Sequence, residues 1–382
     1  MKILLTNDRY YKKIVKKIDK HIEEVTFSKR PMINDAVSDL IEGGGKKLRP
    51  FLMFLAASFG DYDKEVLLDL GTGIEILHMA SLVHDDIIDN ADLRRGQQTA
   101  QRKFGKKEAV FIGDFLLTKT FDILFDHLDS SALKRMSKNV RLLCEGEVEQ
   151  AEKRFDFKID IKDYFRRIRH KTALLFALSS YLGAYVSDIR GERLNILYKL
   201  GLEIGMAFQI QDDILDFEGE EEETGKKLAQ DLREGVVTLP VILLLRKAEY
   251  RDKYRFLLLQ ENNQAVEISN NKSEEIKTEN FEQEEIVSAQ SSNGDNFHSY
   301  TDDNKDDEFY DEGSLFLESG KLDEKIINSI IEDVKTSTVL DESREILKTF
   351  IDRVNKYLSE LPKNKAKKKL QKLIEMQIKR KF

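Results

Sequence analysis

Apolar residues recur at three- and four-residue spacing over residues 67–83, 109–128, 161–186, 194–217 and 327–358. That period puts them on one face of an α-helix. Several of these runs outlast an ordinary globular helix. No β-rich alternation interrupts them, and the chain has only four prolines. The pattern predicts an all-α protein, a single large helical bundle around a central cavity. The longest apolar run, residues 236–245, is broken by Thr238 and Pro240 and is too short to span a bilayer.

Within the helical pattern sit two aspartate clusters of one design, Asp85-Asp86-Ile87-Ile88-Asp89 and Asp212-Asp213-Ile214-Leu215-Asp216. Each puts carboxylates at i, i+1 and i+4, and the i and i+4 positions share a helix face. Hard oxygen donors on one face suit Mg²⁺, which is usually held by one or two carboxylates together with substrate phosphates. With 35% of residues charged, a single such cluster reads best as a solvated acidic turn. Two copies, each preceded by apolar residues, read as facing walls of one metal-diphosphate site.

Cations follow the same logic. Arg94-Arg95-Gly96 lies just beyond the first cluster, and Gly43-Gly44-Gly45-Lys46-Lys47-Leu48-Arg49-Pro50 lies upstream. Glycines let backbone N–H groups approach an anion, and Lys and Arg add charge-assisted hydrogen bonds. By itself the segment is a turn before a helix, and it lacks the P-loop pattern.

Net charge is −8, but it is unevenly spread. Residues 261–320 hold seventeen acidic residues against three lysines, whereas the rest carries 59 basic against 53 acidic. Low hydrophobicity and high charge give this insert the composition of a disordered segment. The expected organisation is one domain over residues 1–260 and 321–382 with an acidic insert at 261–320. Its Phe281, Phe309, Tyr310 and Phe316 leave room for a binding motif, against the default of a solvated loop. The lysine-rich, amphipathic residues 363–382 suit contact with an anionic substrate or a peripheral membrane surface, against the default of a solvated helix face. Cys144, the single cysteine, excludes an internal disulfide and is expected as inert packing. Met1-Lys2-Ile3-Leu4-Leu5 runs directly into Asn7, Asp8 and Arg9 without the apolar core of a signal peptide. A soluble, cytoplasmic protein is expected.

The blocks Gly44-Gly45-Lys46-Lys47-Leu48-Arg49-Pro50, His78 to Asp89, Leu93-Arg94-Arg95-Gly96, Gly113-Asp114-Phe115-Leu116-Leu117, Lys171-Thr172-Ala173 and Gln209 to Asp216 resemble the trans-isoprenyl diphosphate synthases in order and spacing. The stretch from His78 to Gly96 looks most like component II of bacterial heptaprenyl diphosphate synthases, which make the side-chain precursor of menaquinone. The resemblance implies Mg²⁺-dependent elongation of an allylic diphosphate, such as farnesyl diphosphate, with isopentenyl diphosphate. It implies Asp85, Asp89 and Asp212 as metal ligands, with Asp213 and Asp216 completing the acidic set and Asp86 in support. Arg94, Lys171 and Lys226 would hold the allylic diphosphate, and Lys46, Arg49, His78 and Arg95 the isopentenyl diphosphate. The Lys171 carbonyl, Thr172 hydroxyl and Gln209 amide oxygen are dipoles suited to a developing carbocation. As partners it implies a homodimer, or a heteromer with a small component I, and no nucleic acid.

Rival readings are weaker. Glu75-Ile76-Leu77-His78 has the Glu-x-x-His spacing of di-iron bundles, but no second such pair exists. A class I terpene cyclase pairs one aspartate motif with a different second motif, and a non-catalytic subunit would have eroded motifs. Ala80, five residues before Asp85, is small, which implies an open tunnel and a medium or long product rather than a farnesyl or geranylgeranyl diphosphate. Phe111, Phe115, Phe121 and Phe125 are a candidate tunnel wall, with ordinary core packing as the default. After the second motif, Ala229 stands where the family pattern has glycine, and so occupies a position that favours a backbone angle alanine dislikes.

Overall fold

The computed structural model describes residues 8–219, 228–260 and 322–378. Its helices are α1 (Arg9–Thr26), α2 (Pro31–Glu42), α3 (Leu48–Ala57), α4 (Lys64–Ile88), α5 (Ala100–Phe104), α6 (Lys106–His127), α7 (Ser130–Glu152), α8 (Ile161–Ile168), α9 (Leu174–Tyr185), α10 (Gly191–Glu218), α11 (Gln230–Arg233), α12 (Leu239–Arg246), α13 (residues 248–260), α14 (Glu324–Thr336), α15 (Val339–Glu360) and α16 (Lys365–Ile378). Two short strands, β1 (Leu93–Arg94) and β2 (Gln97–Gln98), pair antiparallel. The all-α expectation holds.

Residues 174–184 of α9 are all buried, as an apolar surface on every side requires. This helix packs against α3 and α10, while α4 packs against α6 and α3, and α10 against α15. Helix α4 is long and apolar enough to cross a membrane, but it is a core helix, with Leu67, Leu70, Ile74 and Leu77 buried. Asp63 fixes its start by accepting from the Glu65 and Val66 amides at 2.7 and 3.3 Å.

The structure breaks two of the long periodic runs. Residues 161–186 are interrupted by one π-helical turn, Arg169–Ala173, between α8 and α9. Residues 327–358 are divided between α14 and α15. The hairpin of β1 and β2 was not anticipated. Its turn residues Arg95 and Gly96 both take positive φ, 53° and 83°, as a tight two-residue hairpin turn requires.

Two side-chain expectations are corrected. Phe111 and Phe125 are 59% and 65% exposed, so α6 turns them outward instead of into a tunnel wall or core. Cys144 is exposed rather than packed. Ala80 is buried, between Met79 and Ser81, which face the cleft described below. The acidic insert, Lys226 and the chain end beyond residue 378 lie outside the described residues.

Candidate active site

Both aspartate clusters fall at helix C-termini. Asp85 and Asp86 occupy the last turn of α4 and Asp89 caps it, while Asp212, Asp213 and Asp216 lie in the last two turns of α10. The negative end of the helix dipole makes these poor places for carboxylates, by about 0.3–1 kcal/mol each. A cation is the natural remedy.

A cleft of about 1090 Å³ opens between the two helix ends. It is lined by Asp85, Asp89 and Asp212, by Lys46, Arg49, His78, Arg94 and Arg95, and by Lys171, Thr172 and Gln209. Asp216 is not among the lining residues. It accepts from the backbone amides of Gln230 and Asp231, both at 3.2 Å, and so anchors the start of α11.

On the α4 side, Asp85 is the least compensated carboxylate. Burial, aided by Glu147, pushes it up to about 7 against the pull of Lys171. Lys171 donates to Glu147 at 2.9 Å. Asp89 pairs with Arg154, two residues beyond the end of α7. Asp86 is buried and accepts from Arg94 Nε at 2.7 Å, which ties the hairpin to α4. Gln101 adds bonds to the carbonyls of Asp86 and Ala91 at 2.7 and 2.8 Å.

On the α10 side a buried chain of hydrogen bonds fixes the geometry. Thr172 donates to Gln209 Oε1 at 2.7 Å, Gln209 Nε2 donates to Asp213 at 2.8 Å, and Tyr164 donates to the other Asp213 oxygen at 2.7 Å. The π-helical turn presents Thr172 to α10 and Lys171 to Glu147 across the cleft, and such turns recur at functional sites. Close approach is possible because Gly205 lies one turn before Gln209; a Cβ there would sit 2.5 Å from Ala173 Cα. Asp213, expected in the metal set, has both oxygens engaged from within the fold, and burial pushes it up to about 7. It also lines the cleft, where it braces Gln209 and Thr172.

The third wall is cationic. Burial pulls Arg49 down to about 10, and its guanidinium stacks 4.9 Å from the Phe176 ring centre. Its Nε is buried with no hydrogen-bond partner, which an anion in the cleft would supply. His78 is held well below its usual range by burial and by Arg49, Arg95, Lys47 and Arg94, which favours the neutral imidazole. Lys47 also borders the cleft, but its ammonium is already paired. It is buried in the left-handed conformation at φ 41° and pairs with Glu75 at 3.4 Å and Asp19 at 3.5 Å. Ala229 is also left-handed, at φ 53°, and fully buried at the start of α11, which costs about 1–2 kcal/mol relative to glycine.

The donor set fits a hard divalent cation, since Asp85, Asp89 and Asp212 share one cleft and the pull of Lys171 and Arg94 leaves Asp85 still pushed up to about 7. Among the described residues no three His, Cys, Asp or Glu side chains converge into a ready cage. That suits an ion whose shell is completed by phosphate oxygens and water. Sequence reasoning missed Glu147, Arg154 and Tyr164, which touch the motifs only through tertiary folding.

The polyprenyl synthetase family model matches residues 30–276. The chain belongs to the polyprenyl synthetase family. Among relatives, heptaprenyl diphosphate synthase component 2 of Geobacillus stearothermophilus is 40% identical over 228 residues, covering 60% of this chain and 71% of that protein. The Bacillus subtilis protein of the same name is 37% identical over 240 residues, covering 63% and 69%. Among solved structures, heptaprenyl diphosphate synthase from Staphylococcus aureus superposes with a TM-score of 0.76 at 27% identity, over 97% of this chain and 99% of that one. Polyprenyl synthase from Caulobacter crescentus, solved with calcium and isoprenyl diphosphate, gives 0.77 at 25% identity over 98% and 97%. As a polyprenyl synthetase with the all-α isoprenoid synthase fold, the chain is a trans-prenyltransferase.

Proposed function

We propose that this polyprenyl synthetase elongates an allylic diphosphate with isopentenyl diphosphate to heptaprenyl diphosphate, the chain length used for a menaquinone side chain, and does so in the cytoplasm with Mg²⁺. The observation that carries the reading is the single cleft walled by carboxylates from two helix C-termini and by Arg49, His78, Arg94 and Arg95. Mg²⁺ would neutralise the leaving diphosphate and so ease C–O cleavage. Asp85, Asp89 and Asp212 would hold it, with Asp216 supporting the α10 side.

Arg94, Lys171 and Lys226 would bind the allylic diphosphate. Lys46, Arg49, His78 and Arg95 would bind isopentenyl diphosphate, whose double bond attacks C1 of the allylic group as the C–O bond breaks. The Thr172 hydroxyl and Gln209 amide, held by Tyr164 and Asp213, orient dipoles toward the developing positive charge without offering a strong nucleophile. A new C–C bond forms, and the proton lost from the isopentenyl unit passes to the departing diphosphate. A homodimer through α6 is supported by its exposed Phe111 and Phe125 and half-exposed Phe121. A small component I is the alternative occupant of such a surface.

Incubating the purified chain with Mg²⁺, farnesyl diphosphate and labelled isopentenyl diphosphate, then sizing the dephosphorylated products, tests the proposal. A seven-unit product is expected, from the chain alone or once component I is added. Products of three or four units would overturn the chain length, and silence under both conditions would overturn the activity.

A further inference from the structure

The outward face of α1 is cationic over its first three turns and carries the exposed Glu23 and Glu24 near its end. Arg9, Lys12, Lys13, Lys16, Lys17 and Lys20 are exposed, while Tyr11, Ile14, Ile18 and Ile22 are buried on the opposite side. At about 100° per residue the six cations span an arc of roughly 140°, centred away from the buried seam. Of the acids along α1, Asp8 is engaged by Lys369, Asp19 by Lys47 and Glu24 by Lys20, while Glu23 stands exposed beside the stripe. Lys20 pairs with Glu24 at 2.9 Å, but the other five make no ion pair with any described residue.

Helix α16 extends this face. Lys369 reaches Asp8 and lies 5.1 Å from the Tyr10 ring centre, so α16 runs beside the start of α1. Its exposed Lys365 and Lys372 lie within roughly 60° of Lys369 around the helix axis. At the far end of α1 the capping residue Phe27 is 73% exposed, followed by exposed Lys29 and Arg30. Lengthwise, α1 runs from the cleft rim, where Tyr11 donates to the Lys46 carbonyl at 2.6 Å, to the start of α4, where His21 meets Asp69 at 2.6 Å.

We propose that the joined faces of α1 and α16 dock on an anionic lipid bilayer, with the Phe27 ring entering the headgroup boundary. Lysines on a helix facing outward, with an apolar ring at one end, are the signature of an interfacial surface. Nucleic acid fits less well, because the α1 stripe interleaves no aromatic ring or amide among its cations to stack on or read a base. Docking would lay the length of α1 and α4 along the membrane, where a long apolar product has somewhere to go. The lipid contact rests on the arrangement of charge and not on the reaction proposed above, so vesicle binding and prenyl transfer hold or fail separately.

The test is co-sedimentation of the full chain with vesicles of phosphatidylcholine alone and of phosphatidylcholine mixed with phosphatidylglycerol. Binding is expected only to the mixed vesicles, and should weaken as salt shortens the range of surface charge. Replacing Lys12, Lys13, Lys16 and Lys17 together by Gln is expected to lower partitioning by about fivefold per lysine removed. Phe27→Ser should weaken binding while preserving its salt dependence. Both variants should keep wild-type prenyl transfer on soluble substrates. Equal binding to the two vesicle types, undiminished binding by the lysine variant, or preferential capture by duplex DNA in competition would overturn the proposal.

Discussion

Asp85 stands in a site that pays no regard to the stability of the ligand-free protein, and that can be measured with Asp85→Asn. The carboxyl ordinarily titrates at 3.8 and is pushed up to about 7, first by burial and then by Glu147. The native state therefore holds the proton more tightly than the unfolded chain, and stability falls as pH rises from the unfolded to the folded value. Moving from 3.8 to about 7 bounds the penalty at about 4 kcal/mol above neutrality, of which about 2–3 kcal/mol develops between pH 5 and pH 8. Partial solvent access and relaxation should roughly halve it. Asn keeps the shape and cannot ionise. In EDTA, Asp85→Asn is expected to exceed the wild type by about 1–2 kcal/mol more at pH 8 than at pH 5, read from urea denaturation. Prenyl transfer by the variant should fall to background. A stability difference independent of pH, or wild-type turnover, would refute the reasoning.

Tyr164→Phe removes one of two donors to the buried Asp213 carboxylate and should cost about 1.5–3 kcal/mol. The loss should be larger at pH 8 than at pH 6, because the missing bond favours the ionised form of a group that titrates near 7; an equal loss at both would argue that Asp213 stays protonated. Ala80→Phe overpacks a buried position at a cost of about 1–3 kcal/mol and should shorten the product, whereas unchanged product length would move the growing tail off α4. Deleting residues 261–320 should leave turnover at the wild-type level, and a large loss would give the insert a part in catalysis.

The helices, their polarity and the two carboxylate walls were legible because they are local. An apolar period reports a buried face, and i, i+4 spacing reports a shared one. What was not legible depends on how elements meet. Nothing in Arg169-His170-Lys171-Thr172-Ala173 announces a π-helical turn, since the extra residue is accommodated by packing against α10 at Gly205. Asp212 and Asp213 look equivalent in the sequence and both border the cleft, yet only the folded chain shows that Asp213 is held there by Tyr164 and Gln209. The aromatic positions of α6 have the same apolar character as core residues, and only their missing neighbours reveal an outward face. Ala229 was the one backbone irregularity that the sequence did announce, through a residue type set against a glycine position.

The two walls of the cleft are held by different means, and the difference suits their parts. On the α10 side, Thr172, Gln209, Asp213 and Tyr164 satisfy one another inside the fold, so a ligand entering the cleft finds their dipoles already oriented. On the α4 side, Asp89 with Arg154 and Lys171 with Glu147 are ion pairs at the cleft, each partly open to solvent. Such pairs contribute little to stability and are readily exchanged for better partners. A metal-bound diphosphate offers both at once, a cation for Asp89 and an anion for Lys171. Binding would then release Arg154 and Glu147 from their present partners, while the α10 wall keeps its shape. The rigid wall fits the stabilisation of charge that appears only during reaction, and the exchangeable wall fits admission and release of a diphosphate at every cycle.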